Sequence, residues 1–265
     1  REAFDLVIHN AGLVTAPSRE AYFRVNTEYT RRLWAACLTA PTPPRKFLFI
    51  SSLAAWGPAS DDPADRISLT TPPNPITAYG ESKLAAERFL MEDAGLPYLI
   101  FRPTVVYGPR ERDLFTFFKM VKRGLQPVVG FGPQYLSFVF VRDLVRLVLD
   151  GALSSLENRA YFVADGQTYS PEELGRLTRE ILQVRALSFR VPIGVVSLAG
   201  MLSEWLARRA GRYPILNRDK VAELKARNWQ CDIQPLVQDF GFQPRYTLQE
   251  GLQITLDWYR QQGWL

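Results

Sequence analysis

Short apolar runs alternate with longer segments of helical periodicity in the first part of the chain, and this alternation constrains the fold most strongly. Three strand-length runs stand out, at residues 4–8, 47–50 and 98–101. The segments between them, near residues 20–38 and 77–94, have the spacing of apolar residues that is typical of helices. Strands and helices that alternate at these distances predict βαβ units and a parallel sheet.

Polar and glycine-containing groups follow each of the three runs. They are residues 9–12, the pair Ser51 and Ser52, and residues 104–108. Open α/β sheets bind their ligands beyond the carboxyl ends of the strands. We therefore expect these three groups to meet at one edge of the sheet and to form the functional site.

Tyr79 and Lys83 are four residues apart in a helical segment, so their side chains share one helix face. A phenol has a pKa of about 10 in water and is a poor base near neutral pH. A lysine ammonium within about 6 Å favours the phenolate and lowers that pKa. A nearby hydroxyl such as that of Ser52 can hydrogen-bond a substrate oxygen. The set predicts a proton relay suited to hydride transfer at a carbinol or carbonyl carbon.

The composition limits the other kinds of chemistry. His9 is the single histidine among 265 residues, so no site with two histidine ligands can form and no metal site is expected. For His9 itself we favour a hydrogen-bonded structural role. The net charge of +5 is spread along the chain, which fits an anionic cofactor without indicating nucleic acid. Two distant cysteines and the lack of an apolar run of membrane-spanning length are typical of a cytoplasmic protein.

Several motifs together resemble the extended short-chain dehydrogenases/reductases, the NAD-dependent epimerase/dehydratase group, over essentially the whole chain. The matching segments are residues 7–12, 25–27, 50–57, 79–83, 102–109 and 138–143. The resemblance implies an α/β fold with a Rossmann-like doubly wound parallel sheet and a smaller, mainly helical substrate domain. Residues 1–109 and 137–167 would form the NAD(P)-binding domain, and residues 110–136 and 168–265 the substrate-binding domain.

The resemblance also implies a role for each site residue. Ser52, Tyr79 and Lys83 are the expected catalytic residues. Ser52 would orient the substrate oxygen, Tyr79 would act as acid and base, and Lys83 would lower the pKa of Tyr79 and hold the ribose. The expected cofactor is NAD or NADP, and its implied contacts are Asn10, Ala11, Gly12, Val14, Asn26, Ser51, Tyr79, Lys83, Pro103, Thr104 and Val105.

Two departures from the family pattern carry information. The family begins with a strand and a Gly-x-x-Gly-x-x-Gly turn that holds the pyrophosphate, and no such turn is present here. We expect roughly 60 residues before Phe4 to supply it. Leu53 and Ala54 stand where the family's sugar dehydratases carry an acidic pair, so we favour an epimerase or a simple oxidoreductase. The segment around Ser52 also resembles hydroxysteroid dehydrogenases and dihydroflavonol reductases.

The substrate stays open between two classes. A nucleotide sugar would need arginines for its phosphates, and Arg110, Arg112 and Arg142 are candidates. An apolar alcohol or ketone would need an apolar pocket, to which the apolar segment 191–206 could contribute. The same segment could instead lie on a membrane or, as we favour, pack within the small domain.

A non-catalytic NAD(P)-sensing or NAD(P)-binding protein of the same fold is the alternative to an enzyme. A sensor has no need of an activated phenol, so the Ser52, Tyr79 and Lys83 set favours the enzyme. The family resemblance is also compatible with a homodimer that forms through the helices carrying Asn26 and Tyr79.

Overall fold

The computed structural model describes residues 4–93, 95–209 and 217–265. The strands are β1 Leu6–His9, β2 Lys46–Ile50, β3 Tyr98–Pro103, β4 Val105–Tyr107, β5 Leu125–Val129, β6 Phe138–Phe140, β7 Arg159–Val163 and β8 Leu187–Val191. The α-helices are α1 Arg19–Tyr22, α2 Tyr29–Leu38, α3 Ala78–Glu92, α4 Asp113–Lys122, α5 Val141–Leu153, α6 Pro171–Leu182, α7 Ile193–Arg209, α8 Arg218–Lys225, α9 Gln234–Phe240 and α10 Leu248–Gln261.

Four strands of the described residues form a parallel sheet in the order β1-β2-β3-β7. Its register pairs Val7 with Phe47 and Phe49 with Ile100. All of β2 is buried, because helices cover both faces of the sheet, and this explains the continuous apolar run from Phe47 onward. The predicted α/β fold with a Rossmann-like parallel sheet is confirmed.

Alternate residues of the central strands pack on opposite faces of the sheet. On one face, Phe47, Phe49 and Ile100 pack against Trp34 of α2 and Leu90 of α3. On the other face, the intervening residues pack against α5 and α9. Each fully buried side chain of this size contributes about 1.5–3 kcal/mol. The two layers of helices therefore hold the sheet rigidly and fix the loops at its carboxyl edge.

A second hydrophobic core lies beyond the sheet. Helices α4, α6 and α10 pack around Tyr107 of β4 and around Phe138 and Phe140 of β6. The short strands β4 and β6 pair in parallel, and so do β5 and β8. This core ties the segment after β3 to the C-terminal helices.

The elements differ from the sequence prediction in three places. The predicted continuous helix over residues 20–38 contains a π-helical segment, Phe23–Glu28. The family-like segment 138–143 is a strand only over Phe138–Phe140, because α5 already begins at Val141. The strands β5 and β8 were not predicted, since Pro127 interrupts the first pattern and its partner lies about 60 residues later in the chain. Pairing over such distances leaves no local sequence signal.

The described residues contain no helix that is long and apolar enough to cross a membrane. In the same parts of the chain, no group of three or more histidine, cysteine or acidic residues is arranged to hold a metal ion. Cys37 and Cys231 are both buried free thiols.

Candidate active site

Ser52 lies just beyond the carboxyl end of β2. It is the N-cap of a short 3-10 helix, Leu53–Ala55, and its hydroxyl oxygen accepts a hydrogen bond from the Ala54 amide at 3.2 Å. The same hydroxyl lies close enough to the phenol of Tyr79 to favour its ionised form. The sequence thus positions Ser52 through an ordinary capping turn, and the fold brings it onto the tyrosine side chain.

Tyr79 and Lys83 lie on α3, whose N-cap is Thr77. Lys83 is buried, and its ammonium donates to the Ile50 carbonyl at 2.9 Å. It also lies 4.8 Å from the centroid of the Phe49 ring. Lys83 is therefore anchored at the carboxyl end of β2, beside Ser51 and Ser52, as the sequence predicts.

Asn26 fixes the loop that follows β1. It is fully buried, and its side chain makes two hydrogen bonds with the backbone of Leu13: it accepts from the amide at 2.7 Å and donates to the carbonyl at 3.0 Å. It also donates to the Ser82 hydroxyl at 3.0 Å. The π-helical turn that carries Asn26 was not predicted, and such turns often occur at functional sites. Asn26 shapes the loop and joins it to α3.

The loop itself exposes backbone and small side chains. Asn10, Ala11, Gly12 and Val14 are all exposed. A Cβ atom at Gly12 would lie 3.2 Å from the Lys83 ammonium nitrogen and 3.1 Å from an Asn26 oxygen. Only glycine keeps that space open, so an extended ligand can approach the lysine along the loop.

Burial shifts the pKa values of the two central groups in opposite directions. It raises the pKa of Tyr79 to about 12; the hydrogen bond with Ser52 opposes the shift, and the carboxylates of Glu223 and Asp113 add to it. Burial lowers the pKa of Lys83 to about 8, against the charge of Glu87. The sequence predicts a lowered pKa for Tyr79, because the Lys83 ammonium is visible in it. The loss of water around the phenol and the two carboxylates are not visible in the sequence.

Two buried hydroxyl groups near the same edge of the sheet have no hydrogen-bond partner among the described residues. They are those of Ser51 and Thr104. Ser51 donates its amide to the Phe101 carbonyl at 2.8 Å, and Thr104 donates its amide to the Val163 carbonyl at 3.0 Å. Buried hydroxyls are normally paired, so these two are available to a ligand.

Pro103, Thr104 and Val105 lie at the end of β3, next to β2 in the sheet. Among the described residues, no hydrogen bond or ion pair joins them to Tyr79 or Lys83. The fold thus places the predicted residues at one edge in three groups. Hydrogen bonds join Asn26 to the loop, and Ser52 lies close enough to Tyr79 to act on its pKa, while no hydrogen bond joins the β3 end to either group among the described residues.

The ring of His9 has a structural role. Its Nε2 atom hydrogen-bonds the Thr30 hydroxyl at 2.8 Å, and the ring stacks on Phe49 with centroids 5.6 Å apart. Burial, assisted by the charge of Lys83, lowers its pKa to about 4. This neutral, hydrogen-bonded histidine agrees with the role favoured from the sequence.

The three arginines that were considered as phosphate ligands have different surroundings. Arg142 lies 3.5 Å from the Tyr246 hydroxyl, Arg112 lies over the Trp264 ring, and Arg110 is exposed with a positive φ of 76°. The carboxylates of Glu223 and Asp113 lie close enough to Tyr79 to raise the pKa of its phenol. Sequence reasoning missed both, because only the folded chain brings them near α3.

The residues present suit a nicotinamide cofactor. An ammonium beside an exposed glycine-bearing loop, together with two unpaired buried hydroxyls, offers donors to ribose and carboxamide groups. The site lies at the carboxyl edge of a parallel sheet, where α/β proteins bind nucleotides. The fold and the site together are typical of an α/β protein that binds a dinucleotide. Its site carries a serine, a tyrosine and a lysine.

The comparison with protein families agrees with this class. Residues 1–163 match the model of the NAD dependent epimerase/dehydratase family. The chain belongs to this family of NAD-dependent enzymes, and the resemblance read from its motifs is confirmed.

Individual relatives are distant but span most of the chain. Ceramide reductase from Caulobacter vibrioides is 26% identical over 266 residues, covering 98% of this chain and 76% of the relative. UDP-glucose 4-epimerase from Vibrio cholerae is 27% identical over 244 residues, covering 88% of this chain and 68% of the relative. The solved structure of RMD from Pseudomonas aeruginosa complexed with NADPH has a TM-score of 0.77 at 22% identity, covering 97% and 82% of the two chains. That likeness establishes the shared fold.

Proposed function

We propose that this protein is an NAD(P)-dependent oxidoreductase or epimerase that acts on a carbinol or carbonyl carbon through Ser52, Tyr79 and Lys83. One observation supports this proposal most directly: Lys83 is anchored on the Ile50 carbonyl at the carboxyl end of β2 at 2.9 Å, one helical turn from Tyr79, and the Ser52 hydroxyl lies close enough to the phenol to act on its pKa. A phenol, a hydroxyl and a cation in this arrangement suit proton exchange with a substrate oxygen.

The nicotinamide, when bound, supplies or accepts the hydride. In the proposal, the exposed loop over residues 10–14 and the Lys83 ammonium hold the ribose, and the unpaired Ser51 and Thr104 hydroxyls are available to the cofactor. Pro103 and Val105 border the same edge of the sheet. Either NAD or NADP is compatible with these residues.

The substrate oxygen would lie between Ser52 and Tyr79. Ser52 donates a hydrogen bond that orients this oxygen. Tyr79 gives its proton to it in reduction and takes the proton back in oxidation, so the phenol is neutral on one side of the reaction. Lys83 keeps a positive charge near the phenol and limits the cost of forming phenolate. An epimerase would use both directions in turn.

An apolar substrate is favoured by a specific surface. Helix α7 exposes an apolar face made of Val195, Leu198, Met201, Leu202 and Trp205. It packs against α8, which contributes Glu223 to the surroundings of Tyr79. Arginines that could hold a diphosphate do not converge there. We therefore place an apolar hydroxy or keto compound ahead of a nucleotide sugar, and residues 110–136 and 168–265 would form the domain that binds it.

The direct test is the Tyr79→Phe variant of the full-length protein. Removal of the hydroxyl should lower kcat at least about 100-fold, because the proton donor is lost, while NADH or NADPH still binds. Tyr29→Phe is the matched control, since Tyr29 has an exposed phenol on α2 away from the site. The assay follows NAD(P)H oxidation with the methyl ester of a long-chain β-keto acid and, separately, conversion of UDP-glucose. Turnover by Tyr79→Phe equal to that of Tyr29→Phe would reject the proposal and favour a binding or sensing protein.

A further inference from the structure

The N-terminus of α3, which carries Tyr79, is held by two side chains from different parts of the chain. Thr77, the residue before the helix, accepts a hydrogen bond from the Gly80 amide at 3.0 Å. Asp219, which is 141 residues after Ala78, accepts from the Ala78 amide at 3.1 Å. The backbone amides of Tyr79 and Ala78 both lower the pKa of the Asp219 carboxyl, against the rise caused by burial, so this carboxylate lies close to the Tyr79 amide as well. Side chains thus cap the first turn of α3 at Ala78 and at Gly80.

Asp219 is not required to cap its own helix. The N-cap of α8 is Asn217, whose side chain accepts from the Lys220 amide at 2.8 Å. Asp219 lies in the first turn of α8, half-buried, and directs its carboxylate to α3 instead. The contact with α3 therefore distinguishes Asp219 from a residue that only caps its own helix.

Helix α8 is itself fixed to α7. Glu204 of α7 accepts from the Arg218 amide at 2.6 Å and forms an ion pair with the Arg218 side chain at 3.5 Å. A series of polar contacts therefore runs from α7, which carries the exposed apolar face, through Asp219 to the Ala78 amide, next to Tyr79. Asp219 thus joins the C-terminal segment to the tyrosine helix.

The chemistry of the contact suits a positioning role. The first amides of a helix have no partner within the helix, and a carboxylate there is favoured by the helix dipole. A carboxylate that accepts from the amide of Ala78, next to Tyr79, fixes the backbone from which the phenol projects. Proton transfer depends steeply on position, and a displacement of about 1 Å can reduce the rate roughly 100-fold.

We propose that Asp219 is a positioning residue for Tyr79: it sets the position of the phenol by binding the first amides of α3 from the substrate side of the protein. The inference rests on the proposed role of Tyr79 as acid and base. Asp219 lies outside residues 1–163, the part that matches the family model, so the shared family motifs do not assign it a role. It bonds to backbone amides and acts through the tyrosine.

The test compares Asp219→Ala with Asp219→Asn in the full-length protein. Alanine removes both acceptor atoms, so kcat should fall at least about 10-fold with NADPH and the β-keto ester, while the Kd for NADPH stays within about twofold. Asparagine keeps one acceptor oxygen and should recover most of that loss. This separation of kcat from cofactor affinity, with rescue by asparagine, is not expected from a general loss of stability.

Glu223→Gln separates position from charge. Glu223 is on the same helix and raises the pKa of Tyr79, but it does not bond to α3. Its removal should shift the pH dependence of turnover without reproducing the loss of limiting kcat caused by Asp219→Ala. Hydrogen exchange at the amides of residues 78 and 79 should accelerate in Asp219→Ala and not in Glu223→Gln.

Three results would overturn the inference, and they can be told apart. If Asp219→Ala exposes the two amides yet keeps kcat within about twofold of the wild type, Asp219 is only a structural cap. Equal losses of kcat in Asp219→Asn and Asp219→Ala would likewise show that charge, not the hydrogen bonds, is responsible. If Tyr79→Phe remains active in the same assay, the proposed function fails first, and the positioning role falls with it.

Discussion

At the scale of residues, burial favours the neutral forms of both Tyr79 and Lys83. The pKa of Tyr79 rises to about 12 and that of Lys83 falls to about 8, each mainly because water is removed from the charged form. A neutral phenol is a proton donor, and the acidic residues Glu223 and Asp113 strengthen this state. The protonation state of Tyr79 is thus partly a property of its surroundings.

His9 provides a prediction about stability. Its pKa is lowered from 6.5 to about 4 by burial, so the unfolded chain binds a proton at a higher pH than the folded protein does. Its contribution to stability is therefore complete above about pH 6.5 and is lost as the pH falls toward 4. Over that window the free energy of unfolding should decrease by about 3 kcal/mol on account of this residue.

The measurement is urea unfolding of the wild type and His9→Gln at several pH values between about 4 and 7. Glutamine does not titrate, so the variant should lose less stability than the wild type on acidification, even if it is less stable near neutral pH. Parallel pH dependence in the two proteins would show that His9 does not titrate as its burial implies.

At the scale of elements, the sequence predicted the parts of the fold that are locally encoded. Strand β2 and helix α3 were visible because a continuous apolar run and a helical spacing each occupy adjacent residues. The position of Ser51 and Ser52 at the carboxyl edge of the sheet followed from the rule about strand ends. The π-helical segment around Asn26 and the pairing of β5 with β8 could not be predicted, since both depend on contacts with distant parts of the chain.

The pKa of Tyr79 shows the same limit at the site. The Lys83 ammonium, which was expected to lower it, is four residues away and is visible in the sequence. Glu223, which raises it, is 144 positions away, and the burial that dominates is a property of the whole fold. The sequence therefore singles out Ser52, Tyr79 and Lys83 as the candidate set. It does not show the charges and the burial that shift the pKa of Tyr79.

Helix α7 is the element that tests the substrate class. Leu198 and Met201 lie on its apolar face and are 65% and 52% exposed. Replacement of both by serine should lower kcat/KM for the long-chain β-keto ester about 10-fold, since each lost apolar contact is worth of the order of 1 kcal/mol. Conversion of UDP-glucose, if the protein performs it, should not change.

Val145→Ser with Leu149→Ser is the matched control, because both residues are about half exposed on α5. This pair should leave kcat/KM for the keto ester unchanged. Equal effects of the two double variants would show that exposed apolar side chains matter only for solubility. A wild-type kcat/KM in the α7 variant would remove the reason for preferring an apolar substrate.

At the scale of the whole molecule, both the sheet and the C-terminal helices contribute residues to one site. The sheet, covered on both faces, fixes Ser51, Ser52 and the loop after β1 at its carboxyl edge. The C-terminal helices reach back to the same edge, where Asp219 contacts α3. Family membership, fold and residue geometry therefore converge on nicotinamide chemistry at this edge.

The most direct test of that claim is a calorimetric titration of the full-length protein with NADH and with NADPH. The account predicts one site per chain, and a Lys83→Met variant should bind at least about 10-fold more weakly, because the ammonium that would hold the ribose is lost. Ser52→Ala, which alters only the substrate side, should bind cofactor as the wild type does. Equal affinities of the wild type and a folded Lys83→Met variant would contradict the account.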